Sequence, residues 1–219
     1  MALSALLSEL SLRYKGIFDE SWYLVAAVVM TTLNQSQDIP ILYQHVDNQV
    51  DVALRLKDGI FKSVPIIGFP KVINALTQLH TSLPFHVQQQ LPSHSQRCMM
   101  GRTERRERGE ILFNTIYERH ATRVKTQLKE AYPDLGQVVL DDAYGTILSD
   151  TQYVSALDTS FIVIAALMVQ DLPQQLKGHY YGAFHLGASD LQLVHVQSIV
   201  QSLSAFYHHT TYCTLPIKK

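Results

Sequence analysis

The sequence predicts an all-α protein built from two copies of one multi-helix unit. Three observations carry this prediction: apolar residues recur at helical spacing, the same sequence pattern returns in the second half, and no convincing alternating strand is present. Residues 138–140 are too few for a strand, and their neighbours continue a helical pattern. Helix is therefore expected for nearly every periodic segment.

Composition places the chain among ordinary globular proteins. Of its 219 residues, 47% are hydrophobic and 17% are charged, which excludes a disordered chain. The formal net charge is −1, so no overall field attracts nucleic acid or an anionic membrane. The basic run RTERRER at residues 102–108 is interleaved with glutamates, which favours a solvated helix start or a linker over a phosphate-binding patch.

The first half opens with a run, SWYLVAAVVMTTL at residues 21–33, that is apolar on every helical face and should be buried all round. Asp19 can cap this helix. The sequence QDIP at 37–40 then places a proline where a new helix would start. After it, Leu42, Val46, Val50 and Leu54 recur every four residues, which predicts one amphipathic helix.

The second half repeats this plan. The run FIVIAALMV at 161–169 is again apolar all round, with Asp158 or Ser160 as its cap. The sequence QDLP at 170–173 matches QDIP at an offset of 133, whereas the paired alanines Ala26-Ala27 and Ala165-Ala166 match at an offset of 139. The first loop is thus six residues longer, and the rest of the pattern corresponds.

The helix after Pro173 carries the stripe Leu176, His179, Ala183 and Leu186, which alternates steps of three and four residues. Gly187 stands where a helix ends in the left-handed conformation.

Capping-box spacing from Ser189 to Gln192 then predicts one more helix, through residue 203.

These patterns give a domain plan. Residues 1–80 form the first repeat, 81–108 a linker rich in proline, glutamine and mixed charge, 109–207 the second repeat, and 208–219 a tail; the repeats could form one compact domain. The second repeat would begin with a helix at 110–131 and another near 136–146.

Cysteine usage and hydropathy bear on location. Cys98 and Cys213 lie far apart, which is no disulfide framework and suits a reducing compartment. No apolar stretch reaches the ~18 residues that a bilayer requires, so no membrane partner is expected. The N-terminus lacks a secretory pattern, and Ile217-Lys218-Lys219 does not match the peroxisomal Ser-Lys-Leu address. A cytoplasmic location is predicted, with a mitochondrial one as the alternative.

Five short sequences resemble the carboxymuconolactone decarboxylase family. They span roughly residues 19–203 with the internal duplication: IGFPKVINAL at 67–76, RGEILF at 108–113, PDL at 133–135, AYG at 143–145 and HYYGAFHLGAS at 179–189.

The resemblance implies an alkylhydroperoxidase D-like helical fold that assembles into homo-oligomers. The superfamily contains lactone decarboxylases and thiol peroxidases, and the peroxidases place a Cys-x-x-Cys pair before a histidine, with a glutamate on the preceding helix. When His179 is aligned with that histidine, the cysteine positions hold Leu172 and Gln175, and the glutamate position falls near Ser160. The thiol machinery is therefore absent at this motif, and a thiol peroxidase is the least favoured of the functions that the resemblance offers.

His179 is the one functional-motif residue that carries over, and it should point inward from its apolar stripe. It is either a general acid or base, since imidazole titrates near pH 6.5, or a core histidine that is hydrogen-bonded to a carbonyl or a tyrosine. Tyr180, Lys177 and Gln175 are the candidate substrate-binding residues, with Lys177 the nearest basic group for a carboxylate.

The remaining histidines are read as structural. His185 lies about 240° round the helix from His179 and belongs to a surface or an interface. The offset of 133 places Val46, and not His45, opposite His179. His208-His209 with Cys213 lacks the paired spacing of a zinc site, so no metal and no other cofactor is expected.

Two functions follow from this sequence. The first is a cofactor-free lyase or decarboxylase that acts on a small organic acid or lactone, with His179 as proton donor. The alternative is a catalytically degenerate oligomeric scaffold or binding protein of the same fold. Absence of the cysteines, and of a histidine opposite His179 in the first copy, favours the alternative.

Overall fold

The computed structural model describes residues 2–14, 16, 18, 21–46, 49–95, 97 and 101–216. Asp19, Cys98 and the C-terminal Ile217-Lys218-Lys219, each singled out above, lie outside these residues. The described residues form helices and contain no strand, so the all-α prediction is confirmed.

The first part of the chain carries seven α-helices in the described residues, and a short 3-10 turn, Ser36–Asp38, precedes the third. The helices are α1 Leu3–Tyr14, α2 Trp22–Thr32, α3 Ile39–Val46, α4 Val50–Lys62, α5 Val64–Ile67, α6 Phe69–Ser82 and α7 Phe85–Gln88.

Six more α-helices follow in the described residues. A 3-10 turn, Glu118–His120, separates the first two, and a π-helix, Val139–Leu148, continues the third. The helices are α8 Arg102–Tyr117, α9 Ala121–Ala131, α10 Pro133–Val138, α11 Ala156–Val169, α12 Pro173–His185 and α13 Asp190–Phe206.

The two wholly apolar helices, α2 and α11, lie at the centre and pack against each other. Every residue of α2 is buried, as the lack of a polar face predicts. Helix α4 contacts both, and α13 contacts both, so the two halves share one core. A single cluster of buried apolar side chains runs from Leu3 to Leu203.

Several local signals in the second half act as predicted. Ser189 and Gln192 form both hydrogen bonds of a capping box at the start of α13. Gly187 has φ +95° just after α12. The predicted cap of α11 was wrong: Ser155 caps it, and its hydroxyl accepts from the Asp158 amide at 3.0 Å, because the helix begins one turn earlier than its apolar run.

Two predicted helices are each broken in two. The stripe through residues 42–54 is divided between α3 and α4. The helix predicted at 110–131 breaks at Glu118, whose φ of +41° cannot continue a right-handed helix.

The predicted linker, residues 81–108, contains helix at both ends. Helix α6 extends to Ser82, and the mixed-charge run forms the first turns of α8, which matches the helix-start interpretation of that run. Within this run, Arg106 forms an ion pair with Glu110 of the same helix at 2.9 Å and another with Asp141 of the π-helix at 3.0 Å. The proposed boundary at residue 108 therefore falls inside a helix.

The π-helix lies closely against α8. A Cβ on Gly109 would overlap the Leu140 carbonyl oxygen, and a Cβ on Gly145 would overlap the Arg105 carbonyl oxygen. Both glycines are thus required where the two backbones touch, and this contact fixes the helix that carries Tyr144.

Candidate functional site

Helix α12 presents His179 to the core. The helix starts at Pro173 and packs on α11, and its buried face carries Leu176, His179 and Ala183. His179 is 6% exposed, which agrees with the inward orientation that its place on the apolar stripe predicts.

A very small cavity adjoins the imidazole. Its volume is about 10 Å³, room for about one water molecule. None of the described residues that line it carries a charged side chain at neutral pH. Its polar lining residues are His179 and two hydroxyl residues of α11, Thr159 and Ser160. The other lining residues are apolar: Leu112, Ile116, Leu148, Ala156, Val163 and Leu186.

Two tyrosines connect the imidazole with the edge of α8. The Tyr144 hydroxyl lies 3.4 Å from His179 Nε2 and donates to the Tyr117 hydroxyl at 3.3 Å. The Tyr144 and His179 rings are nearly parallel, with centroids 6.4 Å apart. Phe113 packs against both tyrosine rings, at 4.5 and 4.9 Å. Tyr144 belongs to the AYG sequence, to which the family resemblance gives no role. Its contact with His179 depends on the packing of the π-helix against α8.

Burial sets the protonation of this cluster. Loss of hydration lowers the pKa of His179 from 6.5 to about 4, so the imidazole is neutral at pH 7. Burial raises the pKa of Tyr144 well above its usual range, and the neighbouring Tyr117 adds to the effect. The cluster is therefore a set of neutral hydrogen-bonding groups at neutral pH.

The three predicted substrate-binding residues are not brought to the cavity. Gln175 and Lys177 are exposed. Tyr180 is buried, but its ring lies 5.2 Å from those of Tyr181 and Phe184, and it does not line the space beside His179.

The glycines of the motif have a packing role that the sequence analysis missed. Gly178 and Gly182, one turn apart on α12, face α8. A Cβ on Gly178 would lie 3.0 Å from the Tyr117 ring, and one on Gly182 would lie 2.5 Å from Ile116 Cγ2. These glycines let α8 pack closely on α12 beside the imidazole, and Ile116 lines the cavity.

His185 occupies a helix end and not the cavity. Its Nδ1 lies 3.0 Å from the Thr115 carbonyl oxygen and 3.1 Å from that of Ile116, near the end of α8. Nε2 lies 3.4 Å from a carboxylate oxygen of Glu118. The imidazole thus satisfies carbonyl groups that the end of the helix leaves without intrahelical partners.

A much larger cleft, of about 510 Å³, lies in the first half. It is lined by α2, α3 and α4 and by the chain between the π-helix and α11. Val46, which the offset of 133 aligns with His179, is part of its wall, as is Arg55 of α4. The sequence analysis missed this cleft, because Arg55 looks like an ordinary charged residue of an amphipathic helix.

A buried lysine holds one wall of both spaces. Lys62, at the end of α4, is fully buried, and its ammonium donates to the carbonyl oxygens of Ile147 at 3.2 Å, Leu148 at 3.1 Å and Asp150. Burial lowers its pKa to about 8, although the charge of Asp58 opposes that shift. No periodicity marks this residue, since its partners lie more than 80 positions away.

The tail residues considered for a metal site have other partners. His209 Nε2 lies 3.1 Å from the Val169 carbonyl oxygen, and the Cys213 amide donates to Asp171 at 2.7 Å. Within the part of the chain that the structure describes, no three His, Cys, Asp or Glu side chains group as a metal site requires. The described helices also include none that is long and apolar enough to cross a membrane.

Two yeast proteins match this chain over most of its length. Peroxisomal protein 2 of Schizosaccharomyces pombe is 31% identical over 195 residues, which cover 88% of this chain and 90% of the relative. Peroxisomal protein 2 of Saccharomyces cerevisiae is 27% identical, and the match covers 76% of this chain and 81% of the relative. No family model matches the chain. No solved structure matches it either. Because the chain is 31% identical to the S. pombe protein over 88% of its own length, it belongs to the peroxisomal protein 2 family.

Proposed function

We propose that this chain is a peroxisomal binding protein on a duplicated, alkylhydroperoxidase D-like helical fold, and that it does not turn over substrate at His179. The observation that carries the proposal is the very small cavity, about 10 Å³, beside a neutral imidazole that is only 6% exposed. An organic acid or lactone needs many times that volume. With a pKa of about 4, only about one imidazole in a thousand is protonated at pH 7, which removes most of its capacity as a proton donor.

The position of Ser160 supports the fold assignment. It stands near the position where the resemblance to the carboxymuconolactone decarboxylase family places a glutamate, and it lines the same cavity as His179. At the two cysteine positions, Gln175 and Leu172 are both solvent-exposed. At this motif the histidine is kept while the acid and the thiols are replaced, as expected of a family member that has lost its chemistry.

The duplication is supported by the placement of α2 and α11. Each is buried on all sides, each is followed by a helix with a proline at its start, and each adjoins one of the two cavities.

A peroxisomal location takes the place of the cytoplasmic expectation. Its support is the name that both relatives carry. Fluorescent fusions at either end, imaged beside a peroxisomal marker in yeast, test it. Punctate co-localisation of one fusion supports the location, and diffuse fluorescence from both contradicts it.

Self-association, which the family resemblance implies, cannot rest on the two apolar helices, because the chain itself covers α2 and α11. Other apolar side chains remain exposed, among them Phe69 at 62% and Ile73 at 57%, one turn apart on α6. Light scattering at micromolar concentration tests the proposal: a multiple of 24.8 kDa is expected, and a mass near 24.8 kDa contradicts it.

The lyase is the second candidate, and the chain of tyrosines favours it. Tyr117 and Tyr144 could pass a proton between the edge of α8 and His179 if the cavity opened. The test is loss of lactone absorbance with carboxymuconolactone, for the wild type, His179→Gln and the exposed-histidine control His86→Gln. No turnover by any of the three supports the binding protein. Turnover that His179→Gln alone reduces by ~10²-fold or more would establish the lyase.

A further inference from the structure

The cleft in the first half has the volume and the chemistry of a ligand site. Its 510 Å³ lies within the range of small-molecule pockets, roughly 300–1,000 Å³. One part of its lining is apolar, from Val46, Val52 and Leu54. The rest of the lining is polar, and Arg55 is its basic group among the described lining residues.

Arg55 is held in one orientation. Its Nε donates to the Tyr23 hydroxyl at 2.8 Å, and Nη2 lies 3.5 Å from a carboxylate oxygen of Asp158. That carboxylate also accepts hydrogen bonds from the hydroxyls of Ser21 and Ser155. Asp158 is thus shared among several donors and sits at the limit of hydrogen-bond distance from the guanidinium. Because the orientation is set before a ligand arrives, little ordering cost accompanies binding.

Further polar groups surround the guanidinium. Asp51, one turn before Arg55 on α4, is exposed and also lines the cleft. From the facing chain come Tyr153 and Gln152, whose amide donates to the Tyr153 hydroxyl at 3.0 Å. A ligand carboxylate suits the charged guanidinium of Arg55, and Asp51 would accept a hydrogen bond from a hydroxyl or amino group of the same ligand.

We infer that this cleft binds a small amphipathic carboxylic acid with a hydroxyl or amino group beside the carboxylate. The carboxylate pairs with Arg55, the neighbouring group reaches Asp51, and the apolar body packs on Val46, Val52 and Leu54. No bond is made or broken. The inference deepens the proposed binding function by naming its ligand class, and it assigns that function to the half of the chain without the motif histidine.

Calorimetric titration with mandelate tests the site, because this probe carries a carboxylate, a neighbouring hydroxyl and an apolar ring. The wild type should bind mandelate at least tenfold more tightly than its uncharged analogue mandelamide. Arg55→Gln should weaken mandelate binding at least tenfold, and Arg55→Lys should weaken it less, since lysine keeps the positive charge without the planar guanidinium. Arg119→Gln, at an exposed arginine outside the cleft, should bind as the wild type does.

A second variant keeps the test decisive if Arg55→Gln fails to fold. Gln152→Glu adds a negative charge at the exposed rim without touching the partners of Arg55, and it should weaken mandelate about threefold or more. Equal binding of mandelate and mandelamide, no heat with 10 mM mandelate, or undiminished affinity in Gln152→Glu and in folded Arg55→Gln would each overturn the inference.

The mandelate titration and the lactone assay test different proposals, so a negative result in one can be told apart from a negative result in the other. Absence of mandelate binding with no turnover at His179 would remove the cleft as the site and leave the proposal of a non-catalytic protein standing. Turnover that depends on His179 would remove that proposal, whatever mandelate does.

Discussion

The two cavities of this protein differ in their volume and in the groups that line them. The space beside His179 has a volume of about 10 Å³ and an imidazole in its lining, whereas the cleft beside Arg55 has about 510 Å³ and no histidine among the described residues that line it. The offset of 133 between the QDIP and QDLP sequences aligns His179 with Val46, and these two positions differ both in their side chains and in the volume of the space beside them. A histidine in a sequence motif does not by itself define a site, because the packing around it decides whether a ligand can reach it.

Glycine accounts for the closed side. Gly178 and Gly182 let α8 lie directly on α12, and Gly109 and Gly145 let the π-helix lie directly on α8. Ile116 and Leu148 then line the small space that remains beside His179. The open side is walled partly by the chain after the π-helix, which Lys62 holds in place through backbone carbonyls.

Lys62→Met should have the largest effect, because it removes the group that supports both cavities. Breaking a buried charged interaction costs about 3–5 kcal/mol, and here three carbonyl groups lose their donor. Urea unfolding should therefore show a loss of about 4 kcal/mol. The matched change at an exposed lysine, Lys129→Met, should stay within about 0.5 kcal/mol. Equal stabilities of the two variants would show that Lys62 does not hold this wall.

Acid should destabilise the closed side through His179. The folded pKa is about 4 and the unfolded value is 6.5, so the unfolded state takes up a proton first as the pH falls. Stability that is present above pH 6.5 is then lost between pH 6.5 and 4, by about 3 kcal/mol. His179→Gln should lack this part of the pH dependence, and His86→Gln should keep it. The same acid profile in His179→Gln and the wild type would mean that the imidazole is not sealed from water.

Gly109→Ala should disturb the contact between α8 and the π-helix. The added methyl group meets the Leu140 carbonyl, so the helices must separate, at about 2 kcal/mol. Gly136→Ala is the control, because the nearest atom to its new Cβ lies 3.6 Å away. Thermal unfolding should show a lower Tm for Gly109→Ala and an unchanged or higher Tm for Gly136→Ala. An unchanged Tm in both would contradict the close contact.

His185→Ala should have the smallest effect, about 1 kcal/mol, since it removes a side-chain cap from the end of α8 and leaves the cavity lining in place. Urea unfolding measures the loss, and Lys177→Ala, an exposed change on the same helix, is the control. A loss above about 3 kcal/mol would indicate that His185 contributes to the core and not to a helix end.

The sequence by itself determined the helices and many of their ends. The burial of α2 and α11, the proline at the start of α12, Gly187 after its end and the capping box at Ser189 all depend on residues within a few positions of one another. Such local interactions are legible in the order of residues. The break at Glu118 was not legible, because the imidazole that caps the preceding helix lies about 70 positions away.

Tertiary structure alone decided the properties of the sites. The low pKa of His179, the burial of Lys62 and the orientation of Arg55 come from groups brought together from distant parts of the chain. Desolvation depends on everything that surrounds a group, and cavity volume is what remains after all neighbours have packed. The sequence could therefore name His179, but only the packing could show that it is closed in and that the accessible space lies at Arg55.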